Sequence, residues 1–324
     1  MTPLPVQLSD VHAARERLDG VAVRTPVVRP ERDALVADAD LCCKCENLQR
    51  TGSFKLRGLF NRVATLAPDD RAAGVVTLSA GNAGAAAALA ARLHGVPCAV
   101  VVPADGVPRK LRAIEALGAE VVRVEQRSEL EAAVERLQRE RGLAFVHSYD
   151  EPEIVAGQGT VALELLEQVG ELDALVVPTG GGGLLAGCAV VLQALSPQTR
   201  LFAAEAEGAA TLAPSLAAGR VVRRSQVATI ADGLATSTYG RHTFALAAPA
   251  VERSVTVGEQ EILDAIALVW ERLRLAIEPA SAVAVAALRR LQPALAGQRV
   301  AVVLTGGNVE PRLLGEALRG SGWA

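Results

Sequence analysis

The sequence predicts an α/β fold with open, mainly parallel sheets whose faces are covered by helices. From about residue 71 onward, short runs of β-branched apolar residues alternate with alanine-rich segments. Such runs, bounded by glycine and proline, are typical of buried strands joined through helices. The length of 324 residues, of which 50% are hydrophobic, is enough for two lobes with separate cores.

The strands and helices can be followed in order along the chain. In the first half, the apolar runs GVVTLS, PCAVVVP, AEVVRVE and LAFVHS alternate with an alanine helix, RKLRAIEALG and LEAAVERLQRER. In the second half, DALVVP leads into GGGGLLAGCAVVLQAL, and RLFAAEAE and RVAVVLTGGN follow. No fixed-period repeat, low-complexity tract or long linker interrupts this pattern, so lobe boundaries have to come from motif positions.

The charge pattern argues against a nucleic-acid or membrane partner. The 33 basic and 36 acidic residues are dispersed, and no basic run stands out. No apolar stretch is long enough to span a membrane, and the N-terminal segment lacks a basic and then apolar signal pattern. We expect a cytoplasmic protein.

The five cysteines predict neither a disulfide framework nor a metal site. Cys42, Cys43 and Cys45 lie close together, but no second Cys/His pair follows at zinc spacing. Their alternation fits a strand with small buried side chains. We therefore predict no metal ion.

Lysine is scarce, which narrows the search for a reactive amine. The chain has three lysines, Lys44, Lys55 and Lys110. Thr51 to Ser53 are predicted to form a turn and cap, which places Lys55 in the first turn of a helix starting near Phe54. A cation there is unfavourable against the helix dipole. From spacing alone, a solvated surface lysine and a chemically active one both stay open.

Two glycine-containing loops precede predicted helices. The segment from Ser79 to Gly84 offers free backbone N–H groups that can bind a carboxylate, although an ordinary N-cap by Ser79 or Asn82 is the alternative. Four glycines, Gly180 to Gly183, allow the backbone to wrap a phosphate closely. That loop has neither Walker nor GxGxxG spacing. Together with a scarce lysine, the two loops predict a phosphorylated aldehyde cofactor that condenses with amines.

Six strings then carry a family resemblance. They are KCENLQRTGSFKLRG at 44–58, SAGN at 79–82, GQGT at 157–160, GGGG at 180–183, TIADGLA at 229–235 and LTGGN at 304–308. They resemble the serine/threonine dehydratase group of fold type II pyridoxal phosphate enzymes, which includes serine racemase and has a two-lobed fold like the tryptophan synthase β subunit. The resemblance covers nearly the whole chain in the right order, and it implies pyridoxal 5'-phosphate as cofactor.

The resemblance also implies a role for each matching residue. Lys55 would bind the cofactor as a Schiff base and remove the α-proton, and Ser79 is the second expected catalytic residue. The remaining cofactor contacts would be Phe54 at the ring, Asn82 at the 3-hydroxyl, Gly180, Gly181, Gly182 and Gly183 at the phosphate, Gly233 on the ring's other side and Thr305 at the pyridine nitrogen. The substrate loop would be Ser79, Ala80, Gly81, Asn82 and Ala83.

These motif positions set the expected domains. We predict a large cofactor-binding domain from 1–50 and 146–324, and a small mobile domain from 75–145 that closes over substrate. Residues 51–74 form the connecting segment that carries the lysine. Family similarity implies a homodimer.

The implied activity is elimination of water from a small L-β-hydroxy amino acid, L-threonine or L-serine, which yields a 2-oxo acid and ammonia. Ala80 stands where serine racemases have a second serine, so racemisation is expected to be weak. Ala83 replaces the usual histidine, which leaves hydroxyaspartate or phenylserine open as substrates. Thr211 replaces an acidic residue of the racemase metal-binding stretch, which also contains Glu205, and a metal ion is not predicted.

Other classes of function are weaker alternatives. A nicotinamide-dependent dehydrogenase would need a GxGxxG fingerprint that the chain lacks, whereas a cofactor-binding sensor without catalysis stays open. His147 is given no catalytic role. The isolated aromatic residues are expected in the core or at the surface, although Tyr239 is near enough to the DGLA segment to reach the site; they are Tyr149, Tyr239, Trp270 and Trp323.

Overall fold

A computed structural model describes residues 5–36 and 38–320. Trp323 lies outside these residues. Within them, the strands form a six-stranded sheet in the order β1-β2-β10-β7-β8-β9 and a four-stranded sheet in the order β5-β4-β3-β6. The strands are β1 Val27–Val28, β2 Asp40–Lys44, β3 Val75–Leu78, β4 Cys98–Pro103, β5 Glu120–Val124, β6 Ala144–Phe145, β7 Ala174–Pro178, β8 Arg200–Ala206, β9 Val251–Val257 and β10 Arg299–Val303.

The strand pairing confirms the predicted α/β class. β1 pairs with β2 antiparallel, and the other pairs are parallel. Parallel neighbours require crossover connections, which here contain helices. The helices are α1 Leu8–Leu18, α2 Lys55–Ala64, α3 Pro68–Ala73, α4 Asn82–His94, α5 Pro108–Ala116, α6 Leu130–Arg141, α7 Pro152–Val169, α8 Gly183–Leu195, α9 Leu212–Ala218, α10 Arg241–Ala247, α11 Glu259–Leu273, α12 Pro279–Leu295 and α13 Pro311–Gly320.

Helix ends follow local sequence signals. Proline begins α3, α5, α7 and α12, where its missing N–H costs no hydrogen bond. Gly95, Gly142 and Gly219 end α4, α6 and α9 in the left-handed conformation that glycine adopts without strain.

Each sheet has a hydrophobic core on both of its faces. In β10, Val300 and Val302 pack on one side of the larger sheet, and Ala301 and Val303 pack on the other. The smaller sheet is likewise enclosed between two clusters. Strands buried on both faces explain why the sequence shows continuous apolar runs rather than alternation.

The cysteine cluster lies in and just after β2. Cys42 and Cys43 are completely buried and point to opposite faces of the larger sheet. Burial raises the pKa of the Cys43 thiol well above its usual value. Among the described residues, no group of three or more His, Cys, Asp or Glu side chains is arranged to hold a metal ion, and no helix is long and apolar enough to cross a membrane.

A buried ion network fixes the start of α2. Arg57 is 1% exposed and contacts Glu46 at 2.8 Å and Glu164 at 2.7 Å. Lys44 Nζ lies 2.8 Å from the other oxygen of Glu164. Removing one partner of such a buried network leaves an uncompensated charge, and Arg57 lies two residues after Lys55 in the same helix.

Candidate active site

A cavity of about 910 Å³ lies between the two sheets. Parallel strands leave such crevices at their carboxyl ends, where the loops after β3, β7 and β10 meet. The cavity brings together every residue predicted for the site. These residues are Phe54, Lys55, Ser79, Ala80, Gly81, Asn82, Ala83, Gly180, Gly181, Gly182, Gly183, Gly233 and Thr305.

Lys55 is the first residue of α2 and is partly buried in the cavity wall. Its Nζ donates a hydrogen bond of 3.0 Å to the Ser148 carbonyl. Burial lowers the pKa of this amine to about 8, against the opposing effect of the Glu278 carboxylate. A larger neutral fraction makes the amine a better nucleophile and proton acceptor, and the free surface lysine considered from spacing is not what the structure shows.

The predicted cap before Lys55 is wrong in detail. The residue that precedes the helix is Phe54, and no side chain caps it. Ser53 instead forms a β-bridge with Gly306, and its hydroxyl has no hydrogen-bond partner. The Phe54 N–H donates to the Thr305 carbonyl at 3.1 Å. Tertiary pairing with the chain after β10 therefore sets the helix start in place of a local serine cap.

The four-glycine loop joins β7 to α8 and is packed too tightly for side chains. A Cβ on Gly181 would lie 2.4 Å from the ring of Tyr149, and one on Gly182 would lie 2.3 Å from Tyr239. Gly182 also has φ of +97° and precedes the first turn of α8. Backbone N–H groups at such a helix start suit a phosphate, so the loop fits the cofactor that the sequence predicts.

Two tyrosines pack against this loop, and the sequence did not reveal these contacts. Tyr149 lines the cavity, whereas Tyr239 is 1% exposed and lies behind the loop. Thr179 Oγ1 and the Tyr239 hydroxyl are 3.1 Å apart and hydrogen-bonded. The predicted approach of Tyr239 to the site is therefore an indirect one. Trp270 is 38% exposed on α11.

The loop after β3 leads into a helix whose first backbone N–H groups have no side-chain cap. Gly81 precedes α4, and no side chain caps this helix, so the alternative of an N-cap by Ser79 or Asn82 is wrong. The Ser79 hydroxyl accepts the Gly81 N–H at 3.2 Å, one residue before the helix begins. Uncapped N–H groups at a helix start attract a carboxylate.

Asn82 is held between two residues from the far end of the chain. Its Nδ2 donates to Glu278 Oε1 at 2.7 Å, and its Oδ1 accepts from Asn308 Nδ2 at 2.7 Å. Burial raises the pKa of Glu278 to about 7, although the Asn82 hydrogen bond acts in the other direction. Glu278 was not predicted; its signal was a lone acid before the apolar run PASAVAVAAL.

The cavity mouth carries two cations that were also not predicted as site residues. Lys110 of α5 forms an ion pair with Asp232. This ion pair connects a helix that packs on the smaller sheet with the loop that contains Gly233. Arg127 lies 3.3 Å from Asp105 in an exposed pair. Both cations line the cavity.

Two residues noted in the sequence have structural contacts. Glu205 accepts backbone N–H bonds at 2.7 Å from Thr211 and Leu212, which ties its carboxylate to the start of α9. His147 Nδ1 accepts the N–H groups of Tyr149 and Asp150 at 3.2 and 3.0 Å. Burial lowers the pKa of His147, so this imidazole tends to stay neutral in its turn.

The family model for pyridoxal-phosphate dependent enzymes matches residues 19–306. The chain belongs to this family. An L-threo-3-hydroxyaspartate ammonia-lyase from a Pseudomonas species is 41% identical over 97% of this chain and 100% of that relative. An L-threonine ammonia-lyase from Thermotoga maritima is 36% identical over 95% of this chain and 77% of that one. The structure of a serine racemase from Dictyostelium discoideum matches with a TM-score of 0.89 and 38% identity, covering 94% and 99% of the two chains.

These similarities confirm the resemblance seen in the motifs. The fold is that of the fold type II enzymes, and the cofactor is pyridoxal 5'-phosphate. The chain is a pyridoxal phosphate-dependent lyase.

Proposed function

We propose that this enzyme eliminates water from a small L-β-hydroxy amino acid, with 3-hydroxyaspartate as its preferred substrate, and releases a 2-oxo acid and ammonia. The observation that carries the proposal is the position of Lys55, an amine with lowered pKa, in one cavity with an uncapped helix start and a glycine cradle. This combination supplies a base, a carboxylate site and a phosphate site.

The substrate is held by its α-carboxylate at the loop before α4. The N–H groups of Asn82 and Ala83 lie at the start of that helix, where its dipole favours negative charge. When bound, pyridoxal phosphate would supply the electron withdrawal that makes the substrate's α-proton acidic. Lys55 then takes that proton on Nζ, with Ser148 O as acceptor for the charged amine.

Two residues favour elimination over other outcomes. Ala80 has no proton to deliver to the substrate, so a second acid for racemisation is missing at this position. Thr305 is 3% exposed, and we assign its neutral hydroxyl to the pyridine nitrogen. A neutral hydroxyl there would not hold the ring nitrogen protonated, which would favour loss of the substrate's β-hydroxyl over return of the α-proton.

The choice of 3-hydroxyaspartate is supported by the cavity mouth and by the relatives. Arg127 and Lys110 are cations that a second substrate carboxylate can meet, and Ala83 leaves room beside the loop. The Pseudomonas relative bears the name of this activity. L-threonine and L-serine, which the sequence predicted first, stay as second candidates because the Thermotoga relative is a threonine ammonia-lyase.

The test is a substrate panel on purified, cofactor-loaded enzyme with detection of the 2-oxo acid. We expect kcat/KM for L-threo-3-hydroxyaspartate to exceed that for threonine and serine by about tenfold or more. Faster turnover of threonine would transfer the proposal to that substrate. Absence of keto acid from all β-hydroxy amino acids, in a yellow protein that borohydride labels at Lys55, would favour the sensor and refute the lyase.

We also propose a homodimer whose small domain, 75–145, moves on substrate binding. The Lys110–Asp232 pair bridges the two sides of the cavity and can break and re-form at low cost because it is solvent-accessible. Light scattering at low concentration tests the dimer, and a stable monomer would refute it.

A further inference from the structure

The GQGT segment at 157–160 contains a buried glutamine that the chemistry above does not use. Gln158 lies in α7, is 1% exposed and lines the active-site cavity. Neither its Nε2 nor its Oε1 has a hydrogen-bond partner among the described residues. Since buried polar groups are nearly always paired, an amide with two unpaired atoms in a cavity wall marks a place where another group binds.

The amide lies against the turn of α2 that carries Lys55. A Cβ on Gly157 would lie 2.7 Å from Gly58 Cα, so the two helices touch through their backbones. A Cβ on Gly58 would lie 2.4 Å from Gln158 Nε2. Gly58 and Lys55 are three residues apart and share one face of α2. Lys55 and Gln158 both line the active-site cavity.

A protonated lysine has three N–H donors, and the Ser148 carbonyl accepts one of them here. We propose that Gln158 is a positioning residue whose side-chain oxygen accepts a second hydrogen bond from Lys55, directly or through one water, whenever that amine is free of cofactor and carries the proton taken from substrate. Gln158 thereby stabilises the protonated form of Lys55 and fixes the position of its ammonium group. This role rests on the proposed function of Lys55 as the base.

The other ionisable groups around Lys55 have to be separated from this effect. Glu278 and His147 interact electrostatically with Lys55, and Asp232 and Lys110 act on Glu278 in turn. None of these side chains is changed by a substitution at Gln158. A shift seen after such a substitution therefore reports the glutamine.

Two substitutions of similar volume give opposite expectations. Gln158→Met removes the acceptor, so we expect the pKa of Lys55 to fall by about 0.5 to 1 unit. Gln158→Glu adds an anionic acceptor, so we expect that pKa to rise by about 1 unit. Thr211→Val is the matched control, because it removes another buried, unpartnered polar atom that does not line the cavity.

The pKa is measured by competitive acetylation across a pH series in the full chain after cofactor removal, with peptide mass spectrometry as readout. The chain has three lysines, so Lys110 serves as internal reference in each sample. In the loaded enzyme, the acidic limb of the kcat profile should move in the same directions as the pKa of Lys55.

Opposite shifts for the two variants, with none for the control, support the proposal. Shifts in one direction, shifts below about 0.2 units, or an equal shift in Thr211→Val would overturn it and leave Gln158 as a packing residue. The acetylation result is independent of substrate. A failed substrate panel with opposite pKa shifts would therefore refute the proposed function while keeping the contact.

Discussion

Glu278→Gln tests whether the buried carboxylate beside Asn82 has the raised pKa that its surroundings imply. The side chain is 5% exposed, and burial raises its pKa from 4.5 to about 7. Below pH 4.5 the carboxyl group is neutral in the folded and the unfolded chain. Between these two values mainly the unfolded chain ionises, so folding loses stability as the pH rises through this window.

The size of the loss follows from the shift. One pKa unit corresponds to about 1.4 kcal/mol, so a rise from 4.5 to about 7 removes roughly 3 kcal/mol of stability by pH 8. Glutamine stays neutral and can still accept the Asn82 hydrogen bond. We therefore expect the difference in the free energy of unfolding between the variant and the unsubstituted protein to grow by roughly 3 kcal/mol, in favour of the variant, as the pH rises from about 4.5 to 8.

Urea unfolding of both proteins, fully loaded with cofactor, at several pH values gives this difference. Glu131→Gln, at an exposed position of α6, is the control, and we expect no pH-dependent gain from it. A constant difference between Glu278→Gln and the unsubstituted protein across the pH range would refute the raised pKa. Activity provides a second readout: we expect kcat/KM to fall about fivefold, because a charge-assisted bond to Asn82 becomes a neutral one.

Three further substitutions test separate parts of the site. Lys55→Ala should abolish both the borohydride-sensitive visible band and keto acid formation, and residual turnover above about one part in a thousand would contradict its role as base. Gly181→Ala should weaken pyridoxal phosphate binding about tenfold or more, because its Cβ would lie 2.4 Å from the Tyr149 ring. An unchanged Kd in a fluorescence titration would exclude the four-glycine loop as the phosphate site. Arg127→Gln should raise the KM for 3-hydroxyaspartate about tenfold and leave the KM for threonine unchanged. Arg123→Gln is the control: the Arg123 side chain does not line the cavity, and its substitution should change neither KM.

The sequence was informative wherever function depends on local backbone geometry. Four glycines after a buried strand predict a close approach to an anion, since glycine alone tolerates the φ of Gly182 and the contact with its neighbours. The scarcity of lysine reduced the candidates for a reactive amine to three, and the family resemblance then selected Lys55. Such signals are readable because neighbouring residues in the chain carry them.

Residues that act through distant contacts were missed. Glu278 is 196 positions from Asn82, and Tyr239 meets the glycine loop from a separate segment. Arg127 gave no signal among 33 basic residues. The serine cap expected at Ser53 failed for a similar reason, because pairing with Gly306 decides the local conformation.

The sequence by itself determined the α/β class, the parallel sheets and the glycine loop of the cavity, because apolar runs and glycine positions follow from local burial and backbone freedom. The other predicted site residues came from the family resemblance of the motifs. The tertiary structure alone decided the ionisation of the site. The amine of Lys55 and the carboxyl of Glu278 have pKa values of about 8 and about 7 because folding removes both from water and brings them into one cavity. Desolvation depends on everything that surrounds a group, and most of those neighbours are far away in the chain.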